Sequence, residues 1–178
     1  METKNFTIER AKSTIEWTGK KVTGAHNGTI DIANGNLIFA DGKLSGGQFT
    51  IATNSIKILD VTDPGTNAQF AGHLASDDFF STEKYPTATL MITKVTPETN
   101  TMYHVAGDLT IKGITHPIDF DAEIGDIEGD TLQASGILII DRTLYNMKFR
   151  SGNFFKDLGD TLIYNDFVLD IRLSAKAA

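Results

Sequence analysis

Apolar and polar residues alternate through most of this chain, and short runs of Gly, Asn, Asp and Thr interrupt the alternation at frequent intervals. A period of two is typical of a β-strand with one buried face, whereas a helix repeats its apolar residues every three to four positions. Segment 117–124, for example, alternates Ile118, Phe120, Ala122 and Ile124 with three acidic residues. The pattern therefore predicts an all-β protein.

Turn signals divide the alternation into about eight or more strands, with no strand–helix alternation that would indicate a parallel sheet. Asp41-Gly42 is a strong hairpin signal, Gly35-Asn36 marks a further turn, and the interval 20–32 is predicted to be one strand with a bend. So many strands would leave exposed edges in an open sheet, and closure removes them. We therefore predict an antiparallel eight-stranded β-barrel that forms a single domain over residues 1–178.

The charge balance excludes several classes of partner. The chain has 16 Lys and Arg against 23 Asp and Glu, a net charge of −7, whereas nucleic acids and anionic membranes bind clusters of basic residues. Lys20-Lys21 is the only adjacent basic pair in the sequence. The absence of cysteine excludes disulfides, thiolate metal sites and a cysteine nucleophile. We therefore expect no nucleic-acid partner, no metal and no cofactor.

The sequence is compatible with two compartments. The N-terminus, METKNFTIER, lacks the apolar core of a secretory signal peptide, and no apolar run approaches the roughly 20 residues that span a bilayer. A mature exported domain with an added methionine would look the same. The expected localisation is therefore periplasmic or otherwise extracytoplasmic for a mature domain, and cytoplasmic if Met1 is native.

The alternation stops near residues 64–83, where the pattern indicates a short helical insertion. Asp63 is a favourable N-cap, and Pro64 is a favourable first helical residue. Two adjacent phenylalanines, Phe79 and Phe80, lie among acidic and hydroxyl residues near the end of the insertion. We interpret the insertion as a plug that closes one end of the barrel with hydrophobic bulk.

Five runs of the sequence resemble a known family, and together they span nearly the whole domain. They are WTGKKVTGAHNGTI (17–30), GHLASDDFFSTEKYPTATL (72–90), GDLTIKGITHPIDF (107–120), IDRTLYNMKF (140–149) and FVLDIRL (167–173). On these runs the chain resembles the YceI-like family of lipocalin-like bacterial proteins associated with polyisoprenoid binding. The run 149–167 resembles the Bacteroidetes-type branch of that family.

The resemblance implies a lipocalin-like barrel whose interior is a long apolar pore that binds, carries or stores an isoprenoid-chain lipid, either a polyisoprenoid or a quinone-like molecule. Such a pore needs apolar walls and a few polar groups at its mouth. The candidate ligand-binding residues are the apolar residues that share one strand face, the two plug phenylalanines and the two histidines within the family-like runs. They are Trp17, His26, Ile30, Phe39, Phe49, Ile51, His73, Phe79, Phe80, Leu90, Ile92, Leu109, Phe120, Leu138, Phe167 and Leu169.

Three alternatives to a ligand-binding pore remain open. The same inward residues would also fill an ordinary closed core. An enzyme, either a hydrolase or an isomerase acting on a hydrophobic substrate, would need a histidine and a carboxylate in the barrel. The four histidines show no metal-binding spacing, and no serine lies in a GxSxG motif. An interaction module would present a large exposed apolar patch instead of a cavity.

We prefer binding to catalysis and assign no catalytic residue. Asp141-Arg142 is interpreted as an ion pair or the anchor of a turn. Exposed barrel edges would favour a homodimer.

Overall fold

A computed structural model describes residues 2–152, 154–156, 158–159 and 162–177 of the protein. Most of them belong to one β-sheet that closes on itself. The strands are β1 (Thr3–Ile8), β2 (Thr14–Lys21), β3 (Gly24–Ala40), β4 (Lys43–Ile58), β5 (Thr87–Pro97), β6 (Met102–Ile111), β7 (Ile114–Ile124), β8 (Thr131–Asp141) and β9 (Ile163–Ala177), with the helix α1 (Pro64–Ala75) between β4 and β5. Short 3-10 turns at Arg10–Lys12 and Arg142–Tyr145 follow β1 and β8.

The barrel is an antiparallel meander. Consecutive strands from β2 to β9 pair with one another, and β9 pairs with β2 to close the ring. β1 also lies between β3 and β9, where Phe6 is opposite Leu37 and Ala177. β1 and β2 therefore occupy one position as a single interrupted strand, so nine segments make eight positions around the barrel. The predicted lipocalin-like, antiparallel eight-stranded β-barrel is confirmed.

The hairpin at Asp41-Gly42 is confirmed, and both residues have positive φ angles of 51° and 79°, as a tight two-residue turn requires. The single strand predicted over 20–32 is wrong, because the chain turns at Val22-Thr23 between β2 and β3. Valine and threonine are not favoured turn residues. The alternation of apolar residues therefore continues through this turn, and no turn-forming residue in the sequence marks it.

Gly35 marks a packing contact and not a turn. β3 continues past it, and Gly35 is opposite Phe49 in β4. A Cβ atom at Gly35 would lie 2.7 Å from Cδ1 of Phe49 and 3.1 Å from Cγ1 of Ile8. The glycine makes room for these two side chains, so the turn predicted at Gly35-Asn36 is wrong.

The helical insertion begins as predicted. The Asp63 carboxylate accepts hydrogen bonds from the N–H and the hydroxyl of Thr66, both at 2.8 Å, and Pro64 is the first residue of α1. Turns continue the insertion through residues 76–84. The amino group of Lys112, at the end of the β6–β7 hairpin, donates to the carbonyl oxygens of Asp77 at 2.8 Å and Asn146 at 3.1 Å. This lysine connects the insertion to the segment that follows β8.

The end of the barrel that contains β1 is filled by side chains. Phe6 is fully buried and contacts Phe39 edge to face, with ring centroids 5.2 Å apart. Leu37 and Leu44 are buried in the same cluster. The opposite end, beneath α1, is open inside.

Candidate functional site

The described residues enclose two cavities inside the barrel. The larger has a volume of about 450 Å³, and the smaller, further from α1, has about 60 Å³. Both are lined mostly by apolar side chains, and three residues border both of them: Ile51, Leu109 and Leu169. We call the larger space the outer cavity and the smaller one the inner cavity. The three shared residues form the partition between them.

The structure distributes the predicted ligand-binding residues between these spaces. Ten border the outer cavity: Trp17, His26, Ile30, Ile51, His73, Phe79, Phe80, Leu109, Phe167 and Leu169. Five border the inner cavity alone: Phe49, Leu90, Ile92, Phe120 and Leu138. Phe39 borders neither, because it packs against Phe6 in the filled end. A ligand contact at Phe39 therefore does not follow from its position.

An aromatic cluster covers the outer cavity. Phe70 from α1 contacts Trp17 and His26, with ring centroids 6.4 and 4.7 Å away. Phe80 contacts Phe167 of β9 at 6.1 Å. All these contacts are edge to face, the geometry that aromatic pairs prefer. Because the rings come from the insertion and from strands, they join the plug to the barrel wall.

Both predicted pore histidines lie at the cavity, and each is paired with a carboxylate. Nδ1 of His26 is 2.8 Å from Oδ2 of Asp60, and Nε2 of His73 is 3.0 Å from Oδ2 of Asp78. Neither aspartate borders the cavity. Burial would raise the pKa of Asp60, but hydrogen bonds from the Asn27 N–H and from His26 outweigh it and hold that pKa below its usual value.

The inward residues change character along the strands. On β2 the inward row runs Ile15, Trp17, Gly19, Lys21, because alternate residues of a strand share one face. The first of these borders the inner cavity and the other three border the outer one. We call the solvent-exposed part of the outer cavity its mouth. Lys20 is one of the exposed lining residues there. The row therefore passes from an aliphatic residue at the inner cavity to a lysine at the mouth of the outer one.

Two other strands show the same progression. On β3, Ile30 borders the outer cavity and His26 follows four residues nearer the turn. On β8, Leu138 borders the inner cavity and Ile140 borders the outer one, which Arg142 also borders from the 3-10 turn after β8. In both places a nitrogen-bearing side chain, that of His26 or Arg142, borders the outer cavity beyond the aliphatic residues.

Arg142 anchors a turn and makes no ion pair among the residues that the structure describes, so the ion-pair interpretation is wrong. The side chain is 3% exposed. Its Nε, Nη1 and Nη2 donate to the carbonyl oxygens of Tyr164, Met147 and Ile163 at 3.0, 2.5 and 3.1 Å. Burial lowers the pKa of Arg142, although the nearby Asp141 opposes this effect. The guanidinium carbon also lies 5.8 Å from the ring centroid of Phe79.

Several residues at the cavity escaped the sequence analysis. Phe149 contacts His73 and Phe79, with ring centroids 4.6 and 5.9 Å away, and Met147 is 1% exposed. Arg150, with a φ of 51°, stacks over Phe149 at 4.9 Å. These residues follow β8 in an irregular segment, where no periodicity assigns a face. The one available signal was that Met147 and Phe149 end the run 140–149, which resembles the family.

The remaining histidines lie outside the cavity. His104 is on the outer barrel face, 2.9 Å from Asp121 and 3.0 Å from Asp119. The hydrogen bond to Asp121 raises the pKa of His104; burial opposes it, and the bond to Asp119 reinforces it. Nε2 of His116 is 3.0 Å from the carbonyl oxygen of Leu144.

The closed barrel and its apolar cavity define a β-barrel of the class that can enclose one hydrophobic ligand. The YceI-like domain family matches residues 6–175, so the protein belongs to this family. Its predicted Bacteroidetes-type branch stays a prediction. In the described part of the chain, no helix has the length and apolar character needed to cross a bilayer.

Curated relatives and solved structures are similar over most of the chain. A UPF0312 protein of Photorhabdus laumondii is 31% identical over 141 residues, which cover 74% of this chain and 68% of that protein. A UPF0312 protein of Staphylococcus aureus is 30% identical over 156 residues, covering 82% and 83%. BcnA of Burkholderia cenocepacia has a TM-score of 0.73 at 23% identity, covering 95% and 99% of the two chains.

A polyisoprenoid binding domain from Saccharophagus degradans has a TM-score of 0.74 at 15% identity, covering 97% and 98% of the two chains. At such identities the likeness shows a shared fold.

Proposed function

We propose that this protein binds an isoprenoid-chain lipid in the outer cavity, as a carrier or a store and not as an enzyme. The observation that carries the proposal is the apolar space of about 450 Å³ inside a closed barrel. In a barrel that served only as a structural module, side chains would fill this space and leave no cavity. The polyisoprenoid binding domain from Saccharophagus degradans has the same fold, which supports this class of ligand.

The cavity volume sets the length of chain that can be enclosed. A 150 Å³ apolar cavity holds one benzene, so each carbon needs about 25 Å³. The outer cavity of about 450 Å³ then holds about 18 carbons, which is three to four isoprene units. Each buried CH₂ contributes ~0.8 kcal/mol. A chain of this length therefore binds without elaborate polar recognition, and the remaining units of a longer chain lie outside the mouth.

A lipid recovered from the purified protein tests the proposal. The protein is purified without detergent and extracted with organic solvent, and the extract is analysed by mass spectrometry. We expect an isoprenoid-chain lipid in near-stoichiometric amount. An extract without lipid, together with no binding of added polyprenol, would refute the proposal.

The histidine–aspartate pairs at the cavity favour one second candidate, a hydrolase or isomerase that acts on a hydrophobic substrate. His26 and His73 each have the carboxylate partner that a general base uses. The double variant His26→Ala, His73→Ala separates the two functions. A carrier keeps its lipid in this variant, whereas an enzyme loses all turnover of a hydrophobic ester or alkene substrate.

We also propose an extracytoplasmic location and a homodimer, as expected from the sequence. The cysteine-free composition suits an oxidising compartment. Fractionation of cells that express the complete gene tests the first proposal, and light scattering of the purified chain tests the second.

A further inference from the structure

We propose that the outer face of the barrel carries a binding site for one divalent transition-metal ion of the zinc type. Its ligands are Glu98, His104 and Asp121, and Asp119 supports the histidine. None of these four residues borders either cavity, so the inference goes beyond the proposed lipid binding and does not depend on it. The sequence predicted no metal, because its histidines are widely spaced and it has no cysteine. Strand pairing brings together ligands that are far apart along the chain.

Two strands and the turn before them hold the four side chains on the outer face of the sheet. His104 of β6 lies directly opposite Asp121 of β7, and Asp119 is two residues away on the same face of β7. Residues opposite each other in an antiparallel pair have Cβ atoms about 4.5–5.5 Å apart. Glu98 lies in the turn between β5 and β6, where its N–H donates to the carbonyl oxygen of Met102 at 2.9 Å. The backbone therefore positions all four side chains before any ion binds.

The ligand atoms are spaced for an ion of this size. Nδ1 of His104 lies 2.9 Å from Oδ1 of Asp121 and 3.8 Å from Oε1 of Glu98, and one ligand atom from each of the three residues lies within 4.8 Å of the others. Two ligands of a tetrahedral zinc ion are about 3.3 Å apart, which follows from metal–ligand distances of about 2.0–2.1 Å. Small rotations of the side chains therefore close the three ligands around one ion, and solvent supplies a fourth.

Asp119 fixes which nitrogen of the imidazole meets the ion. Its Oδ2 is 3.0 Å from Nε2 of His104, so it accepts the Nε2–H, and Nδ1 faces the two ligand carboxylates. Metal-ligating histidines usually donate their second ring N–H to such a partner, which sets the tautomer and raises the basicity of the ligand nitrogen. Without the ion, Nδ1 donates its own proton to Asp121. The ion takes the place of that proton, which leaves to solvent.

The cluster has an excess of negative charge that a cation would offset. Three carboxylates, those of Glu98, Asp119 and Asp121, converge on one imidazole. No lysine or arginine pairs with any of them in the part of the chain that the structure describes. Carboxylates that share one site repel each other, and a divalent ion between them replaces this repulsion with attraction.

The nitrogen ligand selects the class of ion. Mg²⁺ and Ca²⁺ take oxygen ligands, whereas imidazole suits zinc, copper and nickel. A site with one imidazole nitrogen and two carboxylate oxygens is therefore expected to prefer Zn²⁺ to either hard cation.

Isothermal titration calorimetry with Zn²⁺ tests the site. The chain is purified without a polyhistidine tag and treated with EDTA, which is then removed. Zn²⁺ should bind with a stoichiometry of one, and equal concentrations of Mg²⁺ or Ca²⁺ should not displace it. The ion connects the β5–β6 turn to β6 and β7 only in the folded state. At a zinc concentration 100 times the dissociation constant, the melting temperature should therefore rise by about 5–10 °C.

Two variants remove a ligand each. His104→Gln removes the nitrogen ligand and should abolish both the stoichiometric binding of Zn²⁺ and the rise in melting temperature. Glu98→Gln, in an exposed turn, should also lose most of the binding and gives an independent test. The matched control is His116→Gln on the same β6–β7 hairpin, because His116 faces the carbonyl oxygen of Leu144. This control should bind Zn²⁺ as the unmodified protein does, and circular dichroism verifies that all variants are folded.

Asp119→Asn tests the positioning role of Asp119. We expect Zn²⁺ to bind about 10–100-fold more weakly with an unchanged stoichiometry. The visible absorption of Co²⁺ bound in place of Zn²⁺ should keep its shape, since the ligands are the same. The matched control is Asp108→Asn, which removes the same charge from an exposed residue on the outer face of β6.

The outcomes bear on the metal site and leave the proposed lipid binding intact. No binding of Zn²⁺ by the unmodified protein, or equal binding by His104→Gln, would overturn the inference. Displacement of Zn²⁺ by Mg²⁺ or Ca²⁺ at equal concentration would also overturn it, because the imidazole would then not be a ligand. If Asp119→Asn weakens binding no more than Asp108→Asn does, Asp119 contributes only its charge and its positioning role is overturned.

Discussion

Leu109 is the residue at which the length of the bound chain can be changed. It lies on β6, is 1% exposed and borders both cavities. Truncation in Leu109→Ala removes three carbons, or about 75 Å³ at about 25 Å³ per carbon. With the inner cavity of about 60 Å³, the variant opens space for about five carbons, which is one isoprene unit. The partition then becomes a passage between the cavities.

The substitution also has a cost in stability. Leu→Ala changes in cores lower the free energy of unfolding by about 3 to 5 kcal/mol. We expect about 3 kcal/mol here, because a side chain with cavities on both sides makes fewer packing contacts than one in a filled core. For a chain of 178 residues this corresponds to a fall in melting temperature of about 6–12 °C.

The binding assay compares polyprenols of increasing length by quenching of Trp17 fluorescence. In the unmodified protein, affinity should rise with each isoprene unit until the outer cavity is full and then level off. In Leu109→Ala the plateau should begin one unit later. An extra unit that is fully buried contributes up to about 4 kcal/mol, from about 0.8 kcal/mol per CH₂.

Leu132→Ala is the matched control. Leu132 is also 1% exposed, but it borders neither cavity. The control should lose similar stability and keep the unmodified length dependence. If Leu109→Ala levels off at the same length as the unmodified protein, the partition does not limit the chain and the account of the two cavities is wrong.

Three further predictions concern the cap of α1, the packing of Trp17 and the outer face of the barrel. Asp63→Ala removes the N-cap that accepts from Thr66 and should lower the free energy of unfolding by about 1 kcal/mol, measured by urea denaturation. Gly28→Ala should displace Trp17 and change its emission spectrum, since the new Cβ would lie 1.7 Å from a carbonyl oxygen of β4 and 2.8 Å from the indole; an unchanged spectrum and melting temperature would contradict this. His104→Gln should destabilise the protein below pH about 6.5 and progressively less as the pH rises through the pKa of His104, because that pKa is raised in the fold; urea denaturation that shows the same loss at every pH would contradict it.

The sequence predicted the barrel and the plug because both depend on local patterns. Alternation identified the strands, and Asp63-Pro64 identified the start of α1, since capping chemistry acts within one turn. Alternation fails where both faces of a strand are apolar. Leu138 and Ile140 point inward, whereas Ile137 and Ile139 are 57% and 63% exposed, and no sequence pattern distinguished the two pairs.

The depth of a residue along the barrel axis could not be predicted. Alternation indicates which face of a strand points inward. It does not indicate which end of that face is closer to the mouth, because the period of two is the same along the whole strand. Leu90 and Phe120 were therefore grouped with Ile30, although the first two border the inner cavity and the third the outer one. The charges at the mouth were missed for a related reason, because Lys20-Lys21 was considered only as an adjacent basic pair and not as the end of an inward row.

The cavity exists because one end of the barrel carries small inward residues. Eight strands enclose an interior just wide enough for side chains or for one small ligand, so residue size decides which of the two occupies it. Phe6 and Phe39 fill the end near β1, whereas Gly19 and Ala88 border the outer cavity. Gly28 has a similar effect. Its missing side chain lets the backbone of β4 and the indole of Trp17 approach positions where a Cβ atom would collide with them. The same alternate positions thus set both the volume of the cavity at mid-barrel and the charge of the side chains at its mouth.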